Sequence, residues 1–193
     1  SAITGVLAAE TFAYGDLSVA MQVLTPALFA YPLILYGTDA QKEQFLPLFA
    51  EAEPPRATAA LLEPGIFFDP LNLKTTATAD GDTITLNGEK AYVPLAATAD
   101  WLIVYARDSE TGSSAAYIVD AHHEGVTLGA REALMGVRAL PNYRLHLNNV
   151  TIDRSARLDA DVPALLNRSR VALAAMAVGV ASAAAEYARN YAK

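Results

Sequence analysis

Residues 57 to 101 constrain this chain more than any other stretch. They read ATAALLEPGIFFDPLNLKTTATADGDTITLNGEKAYVPLAATADW. Two segments of alternating polar and apolar residues flank the pair Asp80-Gly81, and Asn87-Gly88 follows a few residues later. Asp-Gly and Asn-Gly between such segments are strong hairpin signals, because both dipeptides accept the positive φ of a tight turn that joins twisted strands. The stretch therefore predicts the core of a small antiparallel β domain.

Around it, the pattern predicts helices. Ser1 to about Tyr14 is Ala-rich and free of Pro, and Gly15-Asp16 ends it. Leu17 to Ala30 reads as a second helix, with Pro26 interrupting its second half, since an interior proline removes a hydrogen bond and crowds the preceding turn. Thr38 to Gln41 reads as a capping box that opens a helix running to about Ala50, with Phe45, Leu48 and Phe49 on one face. Glu51 to Arg56, containing Pro54-Pro55, reads as a linker. Strands are predicted at about Thr58–Leu62, Lys74–Ala79, Thr83–Leu86, Ala91–Val93, Trp101–Ala106, Ala115–Val119, Val126–Ala130 and Tyr143–Val150. Asp108 to Ser114 is a hairpin tip, and Asp153 to Arg157 a solvated connection. Many short strands with turn punctuation favour a barrel or sandwich over a parallel sheet. From about Val162 the pattern is helical again, and Ala174, Val178, Ala181 and Ala185 form a small-residue ridge suited to close helix packing.

Composition narrows the function classes. A 53% hydrophobic share over 193 residues suffices for a buried core, in one large or two small domains. A net charge of −7 and a pI near 4.9 argue against nucleic acid or an anionic membrane surface as partner. The absence of cysteine excludes disulfides, thiolate catalysis and Cys-ligated metal sites, and suits a cytoplasmic protein. The N-terminal residues show no basic segment followed by an apolar core, so no signal peptide is expected. The longest uncharged apolar run, Val171 to Ala185, is shorter than the roughly 20 residues that span a bilayer, and it reads as a buried helix. His122 and His123 are adjacent, so on a strand they would face opposite ways and make a poor joint metal site. They read as loop residues, and no metal is expected. His146, between Leu145 and Leu147, suggests the exposed face of a strand.

Glu63-Pro64-Gly65, Asp69, Thr76-Ala77, Gly81-Asp82, Leu86-Asn87-Gly88-Glu89-Lys90 and Ala99-Asp100-Trp101 follow one another at a spacing that resembles the middle domain of acyl-CoA dehydrogenases. Gly37-Thr38, Gln41-Lys42 and Leu46-Pro47 resemble the last helix before that domain. The resemblance implies an α+β fold in which helical segments flank an antiparallel β-barrel. Its implied domains are an N-terminal helical segment over residues 1–53, the middle barrel over 54–160, and the start of a C-terminal helical bundle over 161–193, so that the chain is about half a subunit. The implied activity is FAD-dependent α,β-desaturation of an acyl-CoA thioester, with electrons passed to an electron-transfer flavoprotein, by a homo- or hetero-oligomer.

In that chemistry a carboxylate removes the α-proton while the flavin takes a hydride from the β-carbon. Carried over position by position, the resemblance implies flavin contacts from Leu61, Leu62, Gly65, Phe68, Tyr92, Val93 and Pro94, and acyl-CoA contacts from Phe68, Asn167 and Arg170. Several of these depart from the family pattern. Leu62 stands where a Thr hydroxyl would serve the flavin, Phe67-Phe68 replace Gly-Ser, and Pro94 replaces a second Thr. Tyr92 is a reasonable substitute for the family aromatic that shields the flavin. Three lost polar contacts at roughly 1 kcal/mol each would weaken a flavin substantially. One family variant places its catalytic Glu just before an Arg that corresponds to Arg170; the residue there is Ser169, which cannot abstract an α-proton. The other variant places the Glu late in the C-terminal bundle. No catalytic residue is therefore expected within this chain. Gly136-Val137-Arg138 resembles the family's Gly-x-Arg turn, with Ala139-Leu140 where a Ser usually follows.

Each residue also has a plainer role. Glu63-Pro64-Gly65 would serve as a turn, Tyr92 as a strand aromatic and Arg170 as half of a helix-face ion pair. The leading expectation is the acyl-CoA dehydrogenase. The rival is a structural subunit of a mixed oligomer that has lost its flavin, and a weaker third reading makes Phe67-Phe68 a protein-binding anchor.

Overall fold

The computed structural model describes residues 2–193. In chain order the elements are α1 (Ala2–Gly15), α2 (Leu17–Leu24), α3 (Ala27–Tyr36), α4 (Asp39–Phe45), β1 (Ala57–Ala60), β2 (Thr76–Asp80), β3 (Thr83–Pro94), β4 (Trp101–Asp108), β5 (Ser114–Asp120), β6 (Val126–Arg131), β7 (Asn142–Asp153), β8 (Arg157–Leu158) and α5 (Val162–Tyr191). They form two compact units. One holds residues 25–133 and 141–162, and the other holds residues up to Leu24, Leu134–Leu140 and Pro163–Lys193.

The larger unit is one curled sheet with helices against it. Its strands are ordered β6-β7-β3-β2-β4-β5-β8, with β1 beside β4. β4 runs parallel to β1 and β2, and the other neighbours are antiparallel. Side chains of one face, among them Ile84, Leu86, Val93, Leu102, Val104, Tyr117, Val119, Leu145, Leu147 and Val150, close into a single core. β4 is buried on both faces, which is why it reads as a continuous apolar run. α3 and α4 supply an aromatic cluster in which Phe45 meets Trp101 edge-on at 4.9 Å and Phe29 at 5.7 Å, and Phe29 stacks on Phe49 at 5.9 Å.

The structure refines several sequence expectations. Leu17 to Ala30 is two helices, because Pro26 has no N–H and the chain turns there before α3 begins. The capping box is present, with the Gln41 N–H donating to Thr38 Oγ1 at 3.2 Å and the Thr38 N–H donating to Gln41 Oε1 at 2.8 Å. The helix it opens stops at Phe45, and Pro47 starts a 3-10 turn over Pro47–Ala50. The β2–β3 hairpin turns on Gly81-Asp82, one residue later than Asp80-Gly81, since Asp80 still pairs with Thr83. Asn87-Gly88 makes no turn at all. It runs straight through β3, opposite a bulge in β7, where Val150 to Leu147 takes three steps against two from Leu86 to Gly88 and Asn149 adopts a φ of 51°, so the two expected strands are one. Asp153 to Arg157 is more ordered than a solvated connection: Asp153 caps a 3-10 turn and Arg157 enters β8. His146 is exposed between buried Leu145 and Leu147.

In the smaller unit, Ala9, Ala13 and Ala20 pack with Ala175 and Met176 of α5. A Cβ on Gly179 would overlap the Glu10 carbonyl oxygen, so α1 and α5 approach backbone to backbone there. The Tyr14 hydroxyl donates to the Glu186 carboxylate. The ridge of Ala174, Val178, Ala181 and Ala185 is exposed, and the packed face is the adjacent one. Nor is Val171 to Ala185 a buried helix: within this unit most of it is exposed, although Val162–Tyr191 is long and apolar enough by length and composition to cross a bilayer.

Candidate functional site

The chain leaves β1 at Ala60 and is pinned onto β3. The Ala91 N–H donates to the Leu62 carbonyl at 2.8 Å, and Lys90 Nζ donates to the Leu61 carbonyl at 3.3 Å. The next residue, Glu63, is nearly buried and satisfies three donors. Its Oε1 accepts from Lys90 Nζ at 2.9 Å and from the Thr75 N–H at 2.8 Å, and its Oε2 accepts from the Lys74 N–H at 2.8 Å. Burial would raise the Glu63 carboxyl. Lys90 and the backbone N–H groups of Lys74 and Thr75 outweigh it and hold the group down at about 2. Lys90 is fully buried; burial pushes its ammonium down to about 8, and Glu63 limits the fall. Thr75 Oγ1 itself is buried without a well-formed hydrogen bond. Glu63, Pro64, Lys74, Thr75, Gly88 and Glu89 line a cavity of about 270 Å³.

This buried pair is the element that sequence reasoning missed. Lys90 shares the even-numbered phase of Ile84 and Leu86 on a strand, which places a cation on the core side. A core-facing lysine needs a partner, and that requirement was the available signal.

Beyond Lys90 the register with β7 slips again, between Lys90 and Val93. The slip gives Tyr92 a φ of 53° and leaves its side chain 45% exposed beside the pinned Leu62, itself 39% exposed. Val93 points into the barrel core and can offer a ligand only its backbone. Pro94 is half-buried opposite Asn142. Gly65 has a φ of 138° in open space, which requires glycine, and it releases a loop whose Ile66 and Phe67 are 93% and 94% exposed, while Phe68 is half-buried. Asp69 closes that loop by accepting the Leu71 N–H at 2.9 Å. Thus Leu61, Leu62 and Tyr92 come together on the pinned segment. Asn167 and Arg170 lie in the other unit, exposed on α5, where Arg170 Nη1 donates to Asn167 Oδ1 at 2.9 Å rather than to an acid. Ser169 Oγ donates to the Leu165 carbonyl at 3.0 Å and faces no base. His123 Nδ1 accepts the Gly125 N–H at 3.0 Å, and His122 Nε2 lies 3.5 Å from Asp100, both in the β5–β6 turn.

An isoalloxazine presents several nitrogen and carbonyl atoms along one edge, and these need donors. Among Leu61, Leu62, Gly65, Phe68, Tyr92, Val93 and Pro94 the only side-chain donor is the Tyr92 hydroxyl. Of the neighbouring backbone groups, the Ala91 N–H is taken by Leu62, the Leu95 N–H donates to the Pro141 carbonyl at 2.8 Å, and Pro94 has none. The side chains present do not fit the polar edge of a flavin.

Comparison with known proteins places this architecture. The acyl-CoA dehydrogenase N-terminal domain matches residues 1–53 and the acyl-CoA dehydrogenase middle domain matches residues 58–150. A 3-(aryl)acrylate reductase of Clostridium sporogenes is 35% identical over 181 residues, covering 86% of this chain and 46% of the relative. The structure of butyryl-CoA dehydrogenase from Megasphaera elsdenii superposes with a TM-score of 0.84 at 32% identity, over 96% of this chain and 51% of that one. An acyl-CoA dehydrogenase from Bacillus anthracis, complexed with FAD, superposes with a TM-score of 0.75 at 31% identity, over 89% of this chain and 31% of that one. The chain spans about half the length, or less, of these proteins. Two consecutive domains in family order, on the fold the family shares, identify the chain as a member of the acyl-CoA dehydrogenase family.

Proposed function

We propose that the protein containing this chain works as an acyl-CoA dehydrogenase-type oxidoreductase in the cytoplasm. Its substrate is an acyl-CoA thioester, desaturated between the α and β carbons, with FAD as the family's hydride acceptor. An electron-transfer flavoprotein receives the electrons, and the working form is an oligomer. The observation that carries this reading is the consecutive match of the family's N-terminal and middle domains. The catalytic carboxylate lies outside this chain, since Ser169 occupies the position before Arg170.

The test is the visible spectrum of the native assembly, isolated through a tag on this protein. A flavin band that bleaches anaerobically on addition of an acyl-CoA is the expected result. An assembly with neither flavin nor acyl-CoA-dependent electron transfer would overturn the proposal.

A second reading makes this chain a structural subunit within such an assembly. Leu62, Phe68 and Pro94 favour it, because each replaces a polar group with an apolar one. It requires a partner chain that carries an intact Thr-Glu-Pro-Gly loop and a Glu base.

A further inference from the structure

We infer that this chain does not itself hold the flavin, and that the redox cofactor of its assembly is carried by another chain of the same family. The inference rests on the acyl-CoA dehydrogenase reading and assigns this chain its part in it.

Two explanations are open for a loop without flavin donors: the loop has collapsed, or its scaffold is intact and only its chemistry has changed. The structure supports the second. Glu63 still binds Lys90, Lys74 and Thr75, and Leu61 and Leu62 are still pinned to β3 through their carbonyls. The bulge that presents Tyr92 is in place. On this undistorted frame, the exposed positions carry Leu62, Ile66, Phe67 and Tyr92, with Phe68 and Pro94 half-buried beside them. Two neighbouring N–H groups, those of Ala91 and Leu95, are already used within the protein. A flavin set down here would bury acceptor atoms against leucine, phenylalanine and proline. Each acceptor left unpaired weakens binding by roughly tenfold or more.

The experiment takes the full-length protein, produced without other chains, and titrates it with FAD. Quenching of flavin fluorescence and co-elution on gel filtration report binding, and circular dichroism reports folding. The variants are Leu62→Thr and the triple Leu62→Thr, Phe68→Ser, Pro94→Thr. The expected result is a colourless wild type, FAD bound about tenfold tighter by Leu62→Thr, and about a hundredfold or more tighter by the triple variant. Should the triple variant fail to fold, Leu62→Thr alone decides. Wild-type protein that elutes with about one FAD per chain overturns the inference, and so do folded variants that bind no tighter than wild type. Either result leaves the acyl-CoA dehydrogenase proposal standing, because that proposal fails only on a native assembly without flavin or acyl-CoA-dependent electron transfer.

Discussion

Lys90 Nζ lies 2.9 Å from Glu63 Oε1, with side-chain exposures of 0% and 6%. Taking two charges out of water costs several kcal/mol per ion, so such a pair adds little net stability, yet breaking it is expensive. Lys90→Met would leave a buried carboxylate with only two backbone N–H partners, and we expect a loss of about 3–5 kcal/mol. Glu63→Gln would strand the ammonium and cost a similar amount. The double variant Glu63→Gln, Lys90→Met should recover most of the loss, since neither charge is then buried alone. Urea unfolding midpoints of the four proteins give the coupling directly. Additive losses would show that the two residues act independently.

The same pair sets a pH dependence. The Glu63 carboxyl titrates at about 2 in the folded protein against an ordinary 4.5, so the unfolded chain binds the extra proton between those values. The stability it contributes is complete above about pH 4.5 and is lost as pH falls toward 2. Lys90 titrates at about 8 against an ordinary 10.5, so between pH 8 and 10.5 the unfolded chain again binds more protons, and stability rises with pH through that window. Unfolding free energies measured across both windows should show these slopes in the wild type. The acid slope should be shallower in Glu63→Gln and the alkaline slope shallower in Lys90→Met; unchanged slopes would contradict the assignment.

The parts of this fold that were legible in the sequence are those set by short-range chemistry. Thr38 and Gln41 lie three residues apart, so their capping box could be read directly. The β2–β3 hairpin followed from a turn dipeptide between alternating strands, with an error of one residue. Asn87-Gly88 misled because the same dipeptide can also run through a strand: here it lies opposite a bulge in β7, with Gly88 against Thr75, thirteen residues away. On α5 the ridge of Ala174, Val178, Ala181 and Ala185 and the face of Ala175, Met176 and Gly179 look alike in composition. Only the approach of α1 at Glu10 distinguishes them. At the site, the burial of Lys90 was legible in its phase with Ile84 and Leu86, whereas the use of the Ala91 and Leu95 N–H groups depends on the β3 bulge at Tyr92, which no local pattern encodes.

Gly88 is where β3 passes closest to Thr75. Its φ is 151°, and a Cβ there would lie 2.7 Å from both Cα and Oγ1 of Thr75. The obstruction includes backbone, so it cannot rotate away. Gly88→Ala should therefore cost about 2–4 kcal/mol, combining backbone strain with overpacking. Gly81→Ala makes the control: its φ of 57° is also left-handed, but nothing lies within 4 Å, and about 1 kcal/mol is expected. Thermal unfolding of the two variants separates the effects, and equal losses would mean that Thr75 yields.

Asp108 joins three parts of the larger unit that are far apart in sequence. Its Oδ2 accepts from the Tyr117 hydroxyl at 3.0 Å and from Arg157 Nε at 2.9 Å, while Oδ1 accepts the N–H groups of Glu110 and Thr111 at 2.8 and 3.1 Å. Burial opposes the charge, but the N–H groups of Thr111 and Glu110, together with Tyr117 and Arg157, hold the carboxyl below its usual range. Asp108→Asn keeps the shape and one acceptor but removes the charge, and it turns an NH₂ toward donors on at least one side. We expect a loss of about 2–3 kcal/mol. Tyr117→Phe removes one neutral donor from a carboxylate that keeps three others, and about 1 kcal/mol is expected. Because Arg157 is the first residue of β8, Asp108→Asn should also speed amide hydrogen exchange at Arg157 and Leu158, whereas Tyr117→Phe should leave β8 protected. Unaltered exchange in β8 with Asp108→Asn would show that backbone pairing with β5 alone holds that strand.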